Sequence, residues 1–378
     1  MIRMKIKDIC DLQNGRAFKP SDWGTAGLPI IRIQNLNDER APFNYYGGKY
    51  NLAQEVDNGD LLFSWSGTPG TSFGAFLWNR GKGVLNQHIF KVIPKVEVDK
   101  TYLMYALNGN ISTIISKAHG GVGLQHITKK ELDEIEIQMV SISRQKKIVE
   151  ILEKISLLIF LRKQQLAKLD ELIKARFVEM FGELHKTEYN IKTLDELCEF
   201  IKDGTHQTPT YVDVTEGYKF LSSKDVTSGY IDWSSIKYIS EELHQELYKR
   251  IAPQRGDILL AKNGTTGIPA IVETDETFDI YVSLALLRLK PSNNVRYIWS
   301  ALRMPETKAQ FDNSLKGVGV PNLHLGEIKK TKIIVPPFSL QNQFAAFVEH
   351  VDKQKQTVQQ SLEKLELMKK ALMQEYFG

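Results

Sequence analysis

Two cysteines in 378 residues exclude a disulfide framework. Cys10 and Cys198 each sit inside a short apolar run, which points to buried structural thiols. No stretch approaches the ~18 uninterrupted apolar residues of a membrane-spanning helix. The opening Met-Ile-Arg-Met-Lys-Ile-Lys-Asp lacks the apolar centre of a secretory signal, so a cytoplasmic protein with no membrane partner is expected. Neither sign of charge dominates: 49 basic against 45 acidic residues give a net charge of +4. That balance permits nucleic-acid binding without demanding it. Hydrophobic content of 42% is enough for a buried core.

Catalytic motifs are also missing. Ser66-Gly67-Thr68-Pro69-Gly70-Thr71 is glycine-rich but lacks the Lys-Ser/Thr of a phosphate-binding loop. Val335-Pro336-Pro337-Phe338 resembles the Asn/Asp-Pro-Pro-aromatic motif of amino-methyltransferases, but Val335 cannot hydrogen-bond a target amino group. Glu327-Ile328-Lys329 is half of a Glu-x-Lys nuclease pattern, without a partner Asp motif at a convincing place. The eight histidines form no zinc-type spacing. No catalytic residue, metal site or bound cofactor is expected in this chain.

What the chain does have is repetition, the feature to read first. Phe181-Gly182 closes one apolar-periodic segment and Phe377-Gly378 closes another 196 positions later. The same offset relates Gly121-Val122-Gly123-Leu124 to Gly317-Val318-Gly319-Val320, Ser143 to Ser339, and Gln145 to Gln341. Gly59-Asp60-Leu61-Leu62 returns as Gly256-Asp257-Ile258-Leu259.

Each copy has two unlike parts. Residues 1–142 and 183–338 are rich in Gly, Pro, Asn, aromatic and β-branched residues. Leu28–Ile33, Asp60–Trp65, His88–Pro94, Asp257–Ala261 and Ile280–Leu289 read as strands between turns. Residues 102–118 and 296–311 read as helices, the second interrupted at Pro305. The segments 143–182 and 339–378 differ. Ile148, Leu152, Ile155, Ile159, Leu166, Leu169, Ile173 and Met180 alternate steps of four and three around Arg162 and Arg176; Phe344, Val348, Val351, Val358, Leu362, Leu365, Leu372 and Tyr376 follow in the same phase. An apolar seam of this length predicts two long helices packed on each other as a coiled coil, with Ser143 and Ser339 as N-caps. Lys355 and Lys369 interrupt the second seam, either setting register or extending to the edge. The fold class is therefore mixed α/β: two tandem-repeated α/β domains, each followed by a long helix.

After each Gly-Asp strand comes a polar small-residue loop: Ser64, Ser66, Gly67 and Thr68 in the first copy, and Lys262, Asn263, Gly264, Thr265 and Thr266 in the second. Other loops add Arg16, Lys19, Arg32, Gln34, Asn35, Asn86, Gln87 and His88, then Lys202, Thr205, His206, Ser223 and Lys224. Glycines let backbone N–H groups approach phosphates, and Ser, Thr, Asn, Gln and Lys reach phosphates or base edges. Any one such loop taken alone reads better as a plain hairpin turn, and the return at matched places shifts the balance toward a reading surface. A shared frame carrying different side chains is what two readers of different sequences require.

The doubled order of α/β segment and long helix resembles the specificity subunits of type I restriction–modification systems. So do the Gly-Asp-Leu/Ile-Leu strands with glycine loops, the Gly-Val-Gly blocks, and the helix starts Ser143-Arg144-Gln145 and Ser339-Leu340-Gln341. The resemblance spans essentially the whole chain. It implies two target-recognition domains, each reading half of a split, asymmetric double-stranded DNA site, spaced by an antiparallel helix pair. It also implies two docked methyltransferase subunits, joined by motor-nuclease subunits where the system restricts DNA. S-adenosylmethionine, ATP and Mg²⁺ would then be used by those partners. The competing readings are the recognition subunit of a related non-type-I system, an enzyme with a cryptic nuclease or methyltransferase site, and a repeat scaffold that binds only protein.

Overall fold

The computed structural model describes residues 2–67, 73–121, 124–315 and 321–378. Thr68 of the first glycine loop, Val122-Gly123, and the whole of Gly317-Val318-Gly319-Val320 lie outside them. The chain divides into two compact units. The first runs from the N-terminus to Lys163 and adds Gln360–Gly378; the second is Gln164–Gln359. Both units thus take part of each long helix, whereas the change in sequence character falls at the helix starts.

The first unit is built on a four-stranded antiparallel sheet in the order Cys10–Asn14, Ile89–Pro94, Leu61–Ser64, Gly74–Leu77. The second unit repeats it as Cys198–Asp203, Leu284–Leu289, Ile258–Ala261, Pro269–Ile271. A second sheet in each unit contains one parallel pair: Leu28–Ile31 beside Gly83–Leu85, and Tyr218–Leu221 beside Phe278–Ile280. Each unit also closes on its own ends. Ile2–Lys5 pairs with Glu136–Met139, and Asn190–Thr193 pairs with Lys332–Val335. The all-buried Leu61–Ser64 and Ile258–Ala261 explain the unbroken apolar run after each Gly-Asp. Cys10 and Cys198 are free and buried, and burial pushes both thiols up to about 12.

The long helices are Ile142–Phe181 and Phe338–Phe377, 40 residues each. They run antiparallel. Lys163 meets Glu366 at 2.8 Å in the first unit, and Lys355 meets Asp170 at 2.7 Å in the second. Ile148, Leu152, Ile155, Leu169, Ile173, Phe344, Val348, Val351, Val358 and Leu362 form the buried seam. Lys355 therefore pins register through Asp170, while burial and the nearby Lys163 lower the Lys369 ammonium's pKa. The repeated Phe-Gly endings are anchors. Phe181 packs on Tyr297 with ring centroids 5.2 Å apart, and Phe377 on Tyr102 at 5.3 Å. Each tyrosine hydroxyl donates to a strand carbonyl, Ile334 O and Gln138 O respectively.

Several expectations are revised. Ser143 and Ser339 are not caps: the helices begin one residue earlier, and the first-turn amides of Gln145 and Gln341 donate to Ser141 O and Pro337 O. The repeated glutamines instead work through their side chains. Gln145 Nε2 donates to Val140 O and its Oε1 accepts from Asp99 N; Gln341 makes the same pair with Pro336 O and Asn294 N, all four at 2.9 Å. Asp99 and Asn294 cap Lys100–Gly109 and Val295–Leu302. Each glutamine thereby ties the start of a long helix to the start of a domain helix. Val335-Pro336-Pro337 serves this junction too. The segment 102–118 is two helices, Lys100–Gly109 and Ile111–Ser116, and 296–311 breaks at extended Met304 because the residue before Pro305 avoids the helical region. Ile280–Leu289 is interrupted at Tyr281-Val282-Ser283, and Glu241–Arg250 is a helix absent from the expected elements.

Candidate nucleic-acid interface

In each unit, backbone pairing past the ends of the strands gathers distant loops. In the first, Arg16 N donates to Leu85 O, Asn86 N to Ile31 O, Trp65 N to His88 O, and Ile127 N to Trp65 O. In the second, Thr205 N donates to Ile280 O, Tyr281 N to Leu221 O, Lys262 N to Ser283 O, and Leu323 N to Lys262 O. Two close approaches require glycine. A Cβ on Gly15 would lie 2.1 Å from Asn86 O, and one on Gly204 1.9 Å from Ile280 O.

The side chains within this shared frame differ. Trp65 Nε1 donates to Asn14 Oδ1 at 3.2 Å. At the matching place the Lys262 ammonium pairs with the Asp203 carboxylate, also at 3.2 Å. The bridge between Ser66 and His126 becomes one between Asn263 and Asn322. The exposed Gln34 has exposed Lys224 as its counterpart.

Burial sorts the candidates. Lys19, Gln34, Gln87, Lys202, His206, Lys224, Gly264 and Thr265 are exposed, and Arg32, Asn86, His88, Ser223 and Asn263 are half-buried. Arg32 lies over the Trp23 ring at 5.2 Å and Lys202 over Phe200 at 5.0 Å. Arg16 is fixed by Tyr46 Oη and Lys49 O, with the Tyr46 ring 4.8 Å away. Ser64, Ser66, Gly67, Asn35, Thr205, Lys262 and Thr266 are buried, so they build the frame and do not form its tips. Asn35 Oδ1 accepts from Arg32 N while its Nδ2 donates to Ala41 O and Pro42 O; Asp225 accepts from Ser222 N at the same place in the repeat. Thr205 Oγ1 accepts from Gln207 N. Lys262, expected to meet phosphate, is only 6% exposed and already paired.

Four buried polar atoms at the tips have no hydrogen-bond partner among the described residues: His88 Nδ1 and Gln125 Oε1 in the first unit, Asn263 Oδ1 and Asn322 Oδ1 in the second. Burial also lowers the His88 pKa. Buried polar groups are ordinarily paired, and these four atoms group at the matching loops of the two units. Gln125, Asn322 and Tyr281-Val282-Ser283 are not among the sequence-based candidates, whereas Trp65 stands within the first glycine loop. The repeat, with offsets of 195 from His88 to Ser283 and 196 from His126 to Asn322, is the signal that finds them. Among the described residues no cluster of His, Cys, Asp and Glu is arranged to hold a metal, and no helix is long and apolar enough to cross a membrane.

The model of the type I restriction modification DNA specificity domain matches residues 3–171 and again 186–367. The chain belongs to that family. The first match begins within the strand Ile2–Lys5 and the second four residues before the strand Asn190–Thr193, so each covers one copy of the repeated architecture. Among curated relatives, the EcoBI specificity subunit of Escherichia coli is 23% identical over 385 residues, covering 93% of this chain and 79% of its own length. The MjaVIII specificity subunit of Methanocaldococcus jannaschii is 24% identical over 337 residues, covering 84% and 78%. Among solved structures, the S subunit from M. genitalium superposes with a TM-score of 0.54 at 16% identity, over 100% of this chain and 96% of the other. A chain from a study of type I complex assembly and conformational transition gives 0.61 at 14% identity, over 100% and 97%. At these identities the structural matches establish the fold, and the family match establishes the type I specificity role.

Proposed function

We propose that this chain is the non-catalytic reader of a type I methylation complex, with each unit recognising one half of a bipartite, asymmetric double-stranded DNA site. The observation that carries the reading is the repeated frame with divergent contents. Trp65–Asn14 and Lys262–Asp203 occupy one position in two copies, as do Ser66–His126 and Asn263–Asn322. A scaffold that only bound protein would have no need to keep the backbone frame and change the side chains within it. Exposed Lys19, Lys202 and Lys224 meet phosphates and set register, while the amide and imidazole groups read base edges. Adenines to be methylated flip into the pockets of two methyltransferase subunits, which supply S-adenosylmethionine chemistry. Motor-nuclease subunits using ATP and Mg²⁺ join where the system restricts.

Docking has its own support in the first unit. Leu157, Leu158, Phe160 and Leu161 are exposed on the helix Ile142–Phe181, and Leu367 and Met368 are exposed on the helix antiparallel to it. An apolar belt of this kind marks a protein interface. The test is binding of duplex DNA by the chain assembled with its methyltransferase, across a salt series. Lys19→Ala and Lys224→Ala should each flatten the log–log salt slope by about 0.9. An assembled complex with no preference for any DNA sequence would refute the reading.

A further inference from the structure

The helix Glu241–Arg250 interrupts the symmetry of the repeat: the matching stretch of the first unit has only the short turn Leu52–Gln54. Its first turn is fixed inside the domain. His244 Nδ1 lies 2.6 Å from Asp279 Oδ2, with both side chains buried, and the Tyr218 ring stacks on the imidazole with centroids 3.8 Å apart. Asp279 is paired in register with Phe220 in the parallel strands, where the first unit pairs Val84 with Ile30. Its second carboxylate oxygen has no partner among the described residues. An apolar residue there would avoid the cost of burying a charge, so the pair is an expensive feature to keep without a task.

The other end of the helix reaches the interface. Arg250 donates to Asp203 O at 2.5 Å and Gly204 O at 2.6 Å. These two residues form the close turn whose partner strand leads to Tyr281-Val282-Ser283. The Asp203 carboxylate in turn takes the Lys262 ammonium at 3.2 Å and His206 Nε2 at 3.3 Å. A continuous chain of contacts therefore runs from the buried pair through the helix to the loop tips. Asp279 stands two residues before Tyr281, so the same pair also braces the second tip from beneath.

We propose that His244, Asp279 and Arg250 are positioning residues for the second half-site: they set the placement of Asp203, Lys262 and the 281–283 tip, and through them base discrimination in that half alone. This rests on the reading that the second unit recognises half of a DNA site. The first unit, lacking the helix, holds its equivalent turn through Arg16 with Tyr46 and Lys49 instead.

The test uses the full chain assembled with its methyltransferase, acting on duplexes that carry each single-base change in one half-site or the other. Arg250→Met and His244→Leu should reduce discrimination in the second half-site about tenfold or more and change the first less than twofold. His244→Asn, whose amide N–H stands where Nδ1–H does, should restore most of the loss. A purely structural role would scale methylation of every duplex equally. Arg250 is half exposed, so Arg250→Met remains informative if His244→Leu fails to fold. Unchanged second-half discrimination in assembled Arg250→Met complexes, or equal losses in both halves, overturns the proposal. A wild-type complex with no sequence preference would instead refute the DNA-reading function itself.

Discussion

Replacing Gln341 with methionine keeps the side chain's length and removes both of its hydrogen bonds. Gln341 is 1% exposed, and it joins Pro336 O, just before the long helix, to Asn294 N, at the cap of Val295–Leu302. Losing two ordinary hydrogen bonds costs about 1 kcal/mol each, and a buried donor left unpaired adds about 1–3 kcal/mol. Water reaching Asn294 N recovers part of that, so a net loss of about 2–4 kcal/mol is expected. For a unit of this size, ~2–4 °C of melting temperature per kcal/mol gives a fall of about 4–16 °C. Gln145→Met removes the matching pair at Val140 O and Asp99 N and should cost a similar amount. The two sites share no partner, so their effects should add within about 0.5 kcal/mol. Urea unfolding followed by tryptophan fluorescence and circular dichroism gives both values. Hydrogen exchange should localise the loss to the amides of Asn294 and Asp99. Losses below about 0.5 kcal/mol in both single variants would refute the clasp and leave the repeated glutamines unexplained.

Other outcomes follow from individual groups. Lys262→Met leaves Asp203 without its closest cation. It should cost roughly 2–3 kcal/mol, below the ~3–5 kcal/mol of a fully buried pair, and leave the salt slope of DNA binding unchanged; a slope flatter by about 0.9 would return Lys262 to the phosphates. Burial raises the Asp279 pKa to about 6, with His244 opposing the shift, so the native state holds a proton that an unfolded aspartate releases near pH 4. The stabilising contribution is complete below about pH 4 and lost above about pH 6. Relative to Asp279→Asn, the wild type should weaken by on the order of 3 kcal/mol over that window in denaturant titrations, and parallel curves would contradict this. Cys10 and Cys198, with thiols near 12, should resist iodoacetamide at pH 8 until urea unfolds the chain; rapid labelling of the native protein would show that they are accessible.

The parts of this molecule that obey a local period were readable from its sequence. The seam from Ile148 to Ile173 and from Phe344 to Leu362 announces two helices, and Phe181 and Phe377 announce equivalent ends. The strands after Gly59-Asp60 and Gly256-Asp257 declare themselves because burial on both faces removes polar residues from them. The interface was legible only in part, because its contacts join residues far apart in the chain. Lys262 and Asn35 have the composition of DNA contacts, yet their partners, Asp203 and the carbonyls of Ala41 and Pro42, are visible only after folding. The helix Glu241–Arg250 has a Ser240 cap and acidic first turn, but it has no copy in the first unit, so the repeat does not announce it.

The central claim is that one frame, used twice, reads two independent half-sites. The direct measurement is the map of methylated adenines in cells carrying this chain and its methyltransferase, before and after residues 1–142 are exchanged for the matching segment of a relative. The account predicts a split motif in which one half changes and the other is retained base for base. A contiguous motif, or a change of both halves together, would contradict it.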